Sequence, residues 1–189
     1  MLDRAPAFGV TLTAAERHPL PEETPRIDLA EGSWGAGGDA RVWLNADTLP
    51  LWRDIHDAET AFEAVARRAM ERHEPLLDRV LRQAAREVLL LESSDWPFLV
   101  THRSARDYAQ ARARGHAEDA RRLTTIAARL LDQAPAPGSR QLDGDDEAFV
   151  AGSEVRDALF PDLDWRAGLK PRSTEPRAAQ PAPLGSGPA

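Results

Sequence analysis

The chain has 189 residues, a formal net charge of −7 and a sequence pI near 5.3. Nucleic acids and anionic membranes bind basic surfaces, so an acidic chain of this kind is expected to bind neither. The sequence has no cysteine, which excludes disulfides, thiol catalysis and cysteine metal sites. It also shows no signal-peptide pattern and no apolar run near the ~18 residues of a membrane span, and we expect a cytoplasmic protein.

Proline and glycine divide the chain into three parts. Residues 1–30 are predicted to be an irregular lead-in, because four prolines interrupt them. Residues 31–166 are predicted to form one helical domain. Residues 167–189 are predicted to be a disordered tail, since the chain from Lys170 onward has almost no large apolar residue.

Four helices are predicted inside the domain, because apolar residues recur there at spacings of three and four. We place them at about residues 47–69, 75–94, 104–134 and 145–159. Asp47 or Thr48 is expected to cap the first, with Pro50 in its first turn. The third should begin with a capping box at Ser104 and Asp107. The expected fold class is all-α, an antiparallel helical bundle with long loops.

Charged residues and histidines inside these helices are interpreted mainly as structural. Arg86 and Glu87 lie largely opposite the apolar stripe of the second helix, which predicts a solvent-facing position. His116 continues the apolar stripe of the third helix and is interpreted as a packed histidine. The five histidines show no metal-ligand spacing, so no metal site and no cofactor are expected.

The glycine-rich segment EGSWGAGGDARVWLN, residues 31–45, holds the densest group of unusual residues. Trp34 and Trp43 flank Asp39, and glycine lets the backbone approach a ligand closely. An indole can stack on the apolar face of a sugar while a carboxylate binds its hydroxyls. Both indoles could instead belong to the core and hold the loop onto the helices. The residues alone leave both interpretations open.

A second group, SSDWPF at residues 93–98, has the same ambiguity. Asp95 before Trp96 and proline could cap the next turn of chain. Alternatively, the carboxylate and the aromatic ring could line a polar pocket.

Five motifs together resemble one known family. EGSWGAGGDARVWLN, LWRDIHDAE, QAAREVLLLESSDWPFL, ARDYA and FPDLDW follow the order of the helical C-terminal region of glycoside hydrolase family 57 1,4-α-glucan branching enzymes. The resemblance covers about residues 10–166. It implies a helical region that packs on an incomplete β/α barrel and completes a cleft for α-glucan.

The resemblance also implies where the catalysis resides. In the family the barrel carries a glutamate nucleophile and an aspartate acid/base, the carboxylate pair that a retaining mechanism needs. Both positions precede residue 1 in family order, so no catalytic role is assigned in this chain, including to Asp39 and Asp95. We therefore expect the chain alone to be inactive. The expected partners are an α-glucan of amylose or glycogen type and, if it is encoded separately, the catalytic barrel.

Site residues are carried over by motif. Trp34, Trp43 and Asp95 match positions of the family that contact substrate. Asp39, Trp96 and Ser104 are expected to support them, although the family often has glutamine where Ser104 stands. Two alternatives remain: a part of a related amylase or 4-α-glucanotransferase, and a non-catalytic binding or interaction protein derived from the same domain.

Overall fold

A computed structural model describes residues 8–9, 11, 28–30, 32–133 and 141–169. The chain divides into two compact units after Ser33, and everything below concerns the unit that begins at Trp34. Its described part contains α-helices and 3₁₀ turns and no strand, so the all-α fold class is confirmed. The helices are α1 Leu49–Arg68, α2 Pro75–Leu91, α3 Asp95–His102, α4 Arg106–Asp132 and α5 Gly144–Arg156.

Helix α2 packs most extensively against α4, and α1 and α3 also pack along α4. Most of the largest fully buried side chains are aliphatic, and they include Leu77, Leu81, Leu91, Leu123 and Ile126. Burying each contributes about 1.5–3 kcal/mol, so the α2–α4 contact supplies much of the stability. None of the helices in the described ranges is both long enough and apolar enough to cross a membrane.

The starts of two helices differ from the predicted ones. Thr48 occupies the N-cap position of α1, but its hydroxyl donates to the Trp43 carbonyl and does not cap the helix. Pro50 lies in the first turn of α1, as predicted. Helix α4 begins at Arg106, and no side-chain capping bond forms there. The predicted capping box at Ser104 is therefore wrong.

The segment predicted as a loop between the second and third helices is itself a helix. Helix α3 begins at Asp95 and has Pro97 in its first turn, where a missing N–H leaves no hydrogen bond unmade. It ends at His102, because the next residue, Arg103, has a positive φ of 57° that stops the helix.

The described residues continue three positions past the predicted domain boundary at residue 166. Ala167–Leu169 form a 3₁₀ turn, and the Leu169 side chain is buried against the core. The predicted domain bounds stay a prediction. Residues 170–189 and most of the predicted lead-in lie outside the described residues.

Candidate functional site

The glycine-rich loop presents two indoles at an angle to each other. The rings of Trp34 and Trp43 meet edge to face with centroids 5.5 Å apart. Trp34 is 80% exposed, whereas Trp43 is half-buried. The core interpretation of Trp34 is therefore wrong, because a core side chain would be enclosed.

Glycine is required at one position of this loop. A Cβ placed on Gly35 would lie 2.8 Å from Cζ3 of Trp43, closer than carbon atoms can pack. The Trp43 ring can lie against the loop backbone only because residue 35 has no side chain. Gly37 has a φ of 78°, which turns the chain between the two tryptophans.

The Asp39 carboxylate is hydrogen-bonded to Arg41 of the same loop. Its carboxylate accepts hydrogen bonds from the Arg41 backbone N–H at 2.9 Å and from the Arg41 guanidinium at 2.6–2.9 Å. The side-chain hydrogen bonds from Arg41 lower the pKa of Asp39 to about 2. Asp39 therefore stays ionised at neutral pH and acts on the shape of the loop.

Hydrogen bonds from α1 and α3 hold the end of the loop. The Trp52 indole N–H donates to the Trp43 carbonyl at 2.8 Å. The Thr101 hydroxyl donates to the Val42 carbonyl at 2.6 Å and accepts from Asn45 Nδ2 at 2.9 Å. These bonds fix the backbone of Trp43 relative to both helices, which reduces the entropy lost on binding a ligand.

Helix α3 brings Asp95 to the same region. Asp95 is exposed in the first turn, and Phe98 follows it on the same helix face. The Phe98 ring lies 5.7 Å from the Trp34 ring, centroid to centroid. The structure thus places an exposed carboxylate on the helix that contacts the exposed indole.

The other predicted supporting residues lie apart from the indole pair. The Trp96 N–H donates to the Leu90 carbonyl at 2.7 Å, and its ring stacks near His116 at 6.1 Å. Trp96 therefore faces α4 and not the glycine-rich loop. Ser104 is exposed in the turn after α3, and its predicted supporting role stays a prediction.

A buried polar cluster lies between α2 and α4, where the sequence predicted solvent. Glu87 is fully buried, and its carboxylate accepts from His116 Nδ1 at 2.7 Å and from Gln83 Nε2 at 2.9 Å. Arg86 is also buried and donates to the Phe160 and Pro161 carbonyls, each at 3.2 Å. The predicted exposure of both residues is wrong, because the chain after α5 covers Arg86 and His116 of α4 covers Glu87.

Part of this cluster has the composition of a metal site, but an arginine side chain already contacts its possible ligand atoms. Glu87, His116 and Asp157 lie close enough together to hold a metal ion. However, the Arg112 guanidinium lies 3.0 Å from His116 Nε2 and 3.3 Å from an Asp157 oxygen. Since a guanidinium only donates, Nε2 accepts, Nδ1 carries the proton, and the imidazole is neutral. His116 is a packed histidine, as predicted, in a structural network.

Known proteins resemble this chain across the same region. The family model described as "1,4-alpha-glucan branching enzyme, C-terminal" matches residues 54–167. The chain belongs to this family. A 1,4-α-glucan branching enzyme of Thermococcus kodakarensis is 43% identical over 109 residues, 58% of this chain and 16% of that protein. A probable 1,4-α-glucan branching enzyme of Mycobacterium tuberculosis is 38% identical over 126 residues, 62% of this chain and 24% of that protein.

The fold of this C-terminal domain matches solved branching enzymes as well. The crystal structure of the GH57-type enzyme of Pyrococcus horikoshii aligns with a TM-score of 0.70 at 29% identity, and covers 97% of this chain and 33% of that one. This chain therefore spans between about a sixth and a third of the relatives that it matches.

Proposed function

We propose that this C-terminal domain supplies one wall of an α-glucan site in a branching enzyme, with Trp34 as its main sugar contact. The observation that carries the proposal is the exposed Trp34 indole, held between Trp43 and Phe98. An exposed tryptophan that rests on two aromatic rings is costly to solvate and rigid, which suits it to stack on the apolar face of a sugar.

Asp95 is proposed to bind glucan hydroxyls. A carboxylate can accept from two neighbouring hydroxyls at once, and hydrogen bonds to a charged acceptor are the stronger ones. Its exposure leaves its oxygens available to a ligand. Trp43 is proposed to contact the same sugar at its exposed edge.

The reaction itself is proposed to belong to a barrel partner. Retaining transfer of a glucan to a 6-hydroxyl needs a nucleophile and an acid/base about 5 Å apart. In the described part of this chain, the Arg41 ion pair engages Asp39 and the core encloses Glu87. We infer that this domain binds the glucan while a barrel cleaves and transfers it. Cytoplasmic synthesis of a glycogen-like polymer is the setting that the family resemblance supports.

Calorimetric titration with maltoheptaose tests the binding proposal. The wild-type chain should bind, and Trp34→Ala should weaken the affinity by about 1–2 kcal/mol, as scaled from aromatic contact energies. Tyr108→Ala provides the control, because it removes another exposed aromatic ring, on α4. Equal affinity of Trp34→Ala and the wild type would overturn the assignment of Trp34.

An assay with amylose tests the proposal that this domain binds the glucan while the barrel carries out the reaction. The purified chain should form no new α-1,6 links, since the proposed catalytic carboxylates belong to the barrel. Turnover that disappears in Asp95→Asn would show instead that this chain carries catalysis.

A further inference from the structure

Helix α3 presents a third side chain on the face that carries Asp95 and Phe98. His102 follows them at helical spacing, since 95, 98 and 102 differ by three and four. Pro97 and Val100, on the other side of α3, are buried. The face with Asp95 and His102 is therefore the accessible one.

The His102 ring continues the row of aromatic rings that begins at Trp34. Its centroid lies 4.2 Å from that of Phe98, at an interplanar angle of 31°. Trp34 contacts Phe98 at 5.7 Å and 32°. Phe98 thus contacts both rings and connects Trp34 of the loop to His102 at the end of α3.

A backbone hydrogen bond fixes which nitrogen of His102 is available. Nδ1 lies 3.0 Å from the Phe98 carbonyl oxygen, which can only accept, so Nδ1 carries a proton and donates. Within the described residues, Nε2 has no hydrogen-bond partner. Nε2 belongs to an exposed ring whose orientation is determined by the helix and by Phe98. A sugar hydroxyl can therefore form a hydrogen bond with Nε2.

We propose that His102 is a further glucan-binding residue, which pairs with a hydroxyl of a sugar unit beyond the one stacked on Trp34. This inference rests on the proposed glucan function of Trp34. It also assigns a function to one face of α3, where Asp95, Phe98 and His102 together extend the contact along the bound chain. His102 therefore favours longer α-1,4-glucans over short ones.

Two matched variants distinguish the contribution of the His102 ring to binding from the contribution of its Nε2 atom. His102→Phe keeps an aromatic ring against Phe98 and loses Nε2, whereas His102→Gln keeps a polar group of similar reach. One net hydrogen bond corresponds to roughly a three- to tenfold change in affinity. We expect His102→Phe to weaken maltoheptaose binding by that factor and His102→Gln to lose less. His73→Phe, in the exposed loop between α1 and α2, is the control and should bind as the wild type does.

Glucan length distinguishes binding from a purely structural role. Glucose supplies only the unit stacked on Trp34, so His102→Phe should bind glucose as the wild type does, while Trp34→Ala should lose affinity for both sugars. Thermal melting of each variant verifies the fold. A His102→Phe variant that binds maltoheptaose as tightly as the wild type, or whose affinity for glucose falls by the same factor, overturns the inference alone. A wild-type chain that binds neither sugar overturns the proposed function and this inference with it.

Discussion

Glu92, at the end of α2, shows how a single carboxyl group responds to its surroundings. Burial, with the nearby Glu59 carboxylate as the smaller cause, raises the pKa of Glu92 from 4.5 to about 6. Both residues line a groove with an apolar floor that includes Phe62, Val88 and Trp165. The charged form of Glu92 is therefore disfavoured in the folded chain relative to the unfolded one.

Glu92→Gln should stabilise the chain at neutral pH. The native state binds the Glu92 proton more tightly, so wild-type stability falls as pH rises from about 4.5 to about 6 and stays lower above that window. Because Glu92 is partly exposed, solvent screening limits the gain at pH 7.5 to about 1 kcal/mol or less. Urea unfolding of the variant and the wild type at pH 7.5 and pH 4 measures this difference in the free energy of unfolding.

The same variant should give no gain at pH 4, where Glu92 is protonated in both states. Glu71→Gln, in the loop after α1, removes the same charge from an exposed position and controls for net charge. A gain of equal size at both pH values would show that burial of the charged form is not the cause.

At the level of elements, the Glu87–His116 hydrogen bond links α2 to α4 inside the core. Arg112 and Asp157 extend this link to the residue that follows α5. A buried carboxylate without its donors is strongly unfavourable, so the three elements depend on one another through a few atoms.

His116→Ala should lower the free energy of unfolding by about 3–5 kcal/mol. The substitution leaves Glu87 without its Nδ1–H donor and opens a cavity beside Trp96. Urea unfolding at neutral pH measures the loss, with His73→Ala as an exposed control that should change stability by less than about 0.5 kcal/mol. A loss below about 1 kcal/mol for His116→Ala would mean that water replaces the imidazole without penalty.

Sequence periodicity predicted α1, α2, α4 and α5, because each is long enough to show a repeating apolar face. It missed α3, since eight residues with Pro97 near the start carry no readable period. It also misplaced Arg86 and Glu87, because Arg86 is covered by chain 74 residues later and Glu87 by His116, 29 residues later. Such a distant contact leaves no trace in the local pattern.

Only those residues of the candidate site that match the family motifs could be predicted from the sequence. Trp34, Trp43 and Asp95 were identified by their place in the family pattern, and their contact with glucan stays a prediction. Phe98 belongs to the SSDWPF motif, but the sequence assigns no role either to Phe98 or to His102. Their contribution depends on α3 being a helix, which sets the three- and four-residue spacing of one face.

At the scale of the whole molecule, we propose that the domain forms one side of a binding cleft. Its core is closed around α2 and α4, whereas the aromatic row from Trp34 to His102 lies on the surface. The chain spans about a sixth of the Thermococcus enzyme and a third of the Pyrococcus one. We infer that a barrel supplies the opposite wall and the reacting groups.

The five tryptophans allow a direct test of this account. Each indole N–H gives its own NMR signal, and Trp34 and Trp43 lie in the proposed site, while Trp96 faces α4 and Trp165 is buried. On titration with maltoheptaose, the Trp34 and Trp43 signals should shift progressively, while those of Trp96 and Trp165 stay unchanged. Shifts confined to Trp96 or Trp165, or no shift at any indole, would contradict this account.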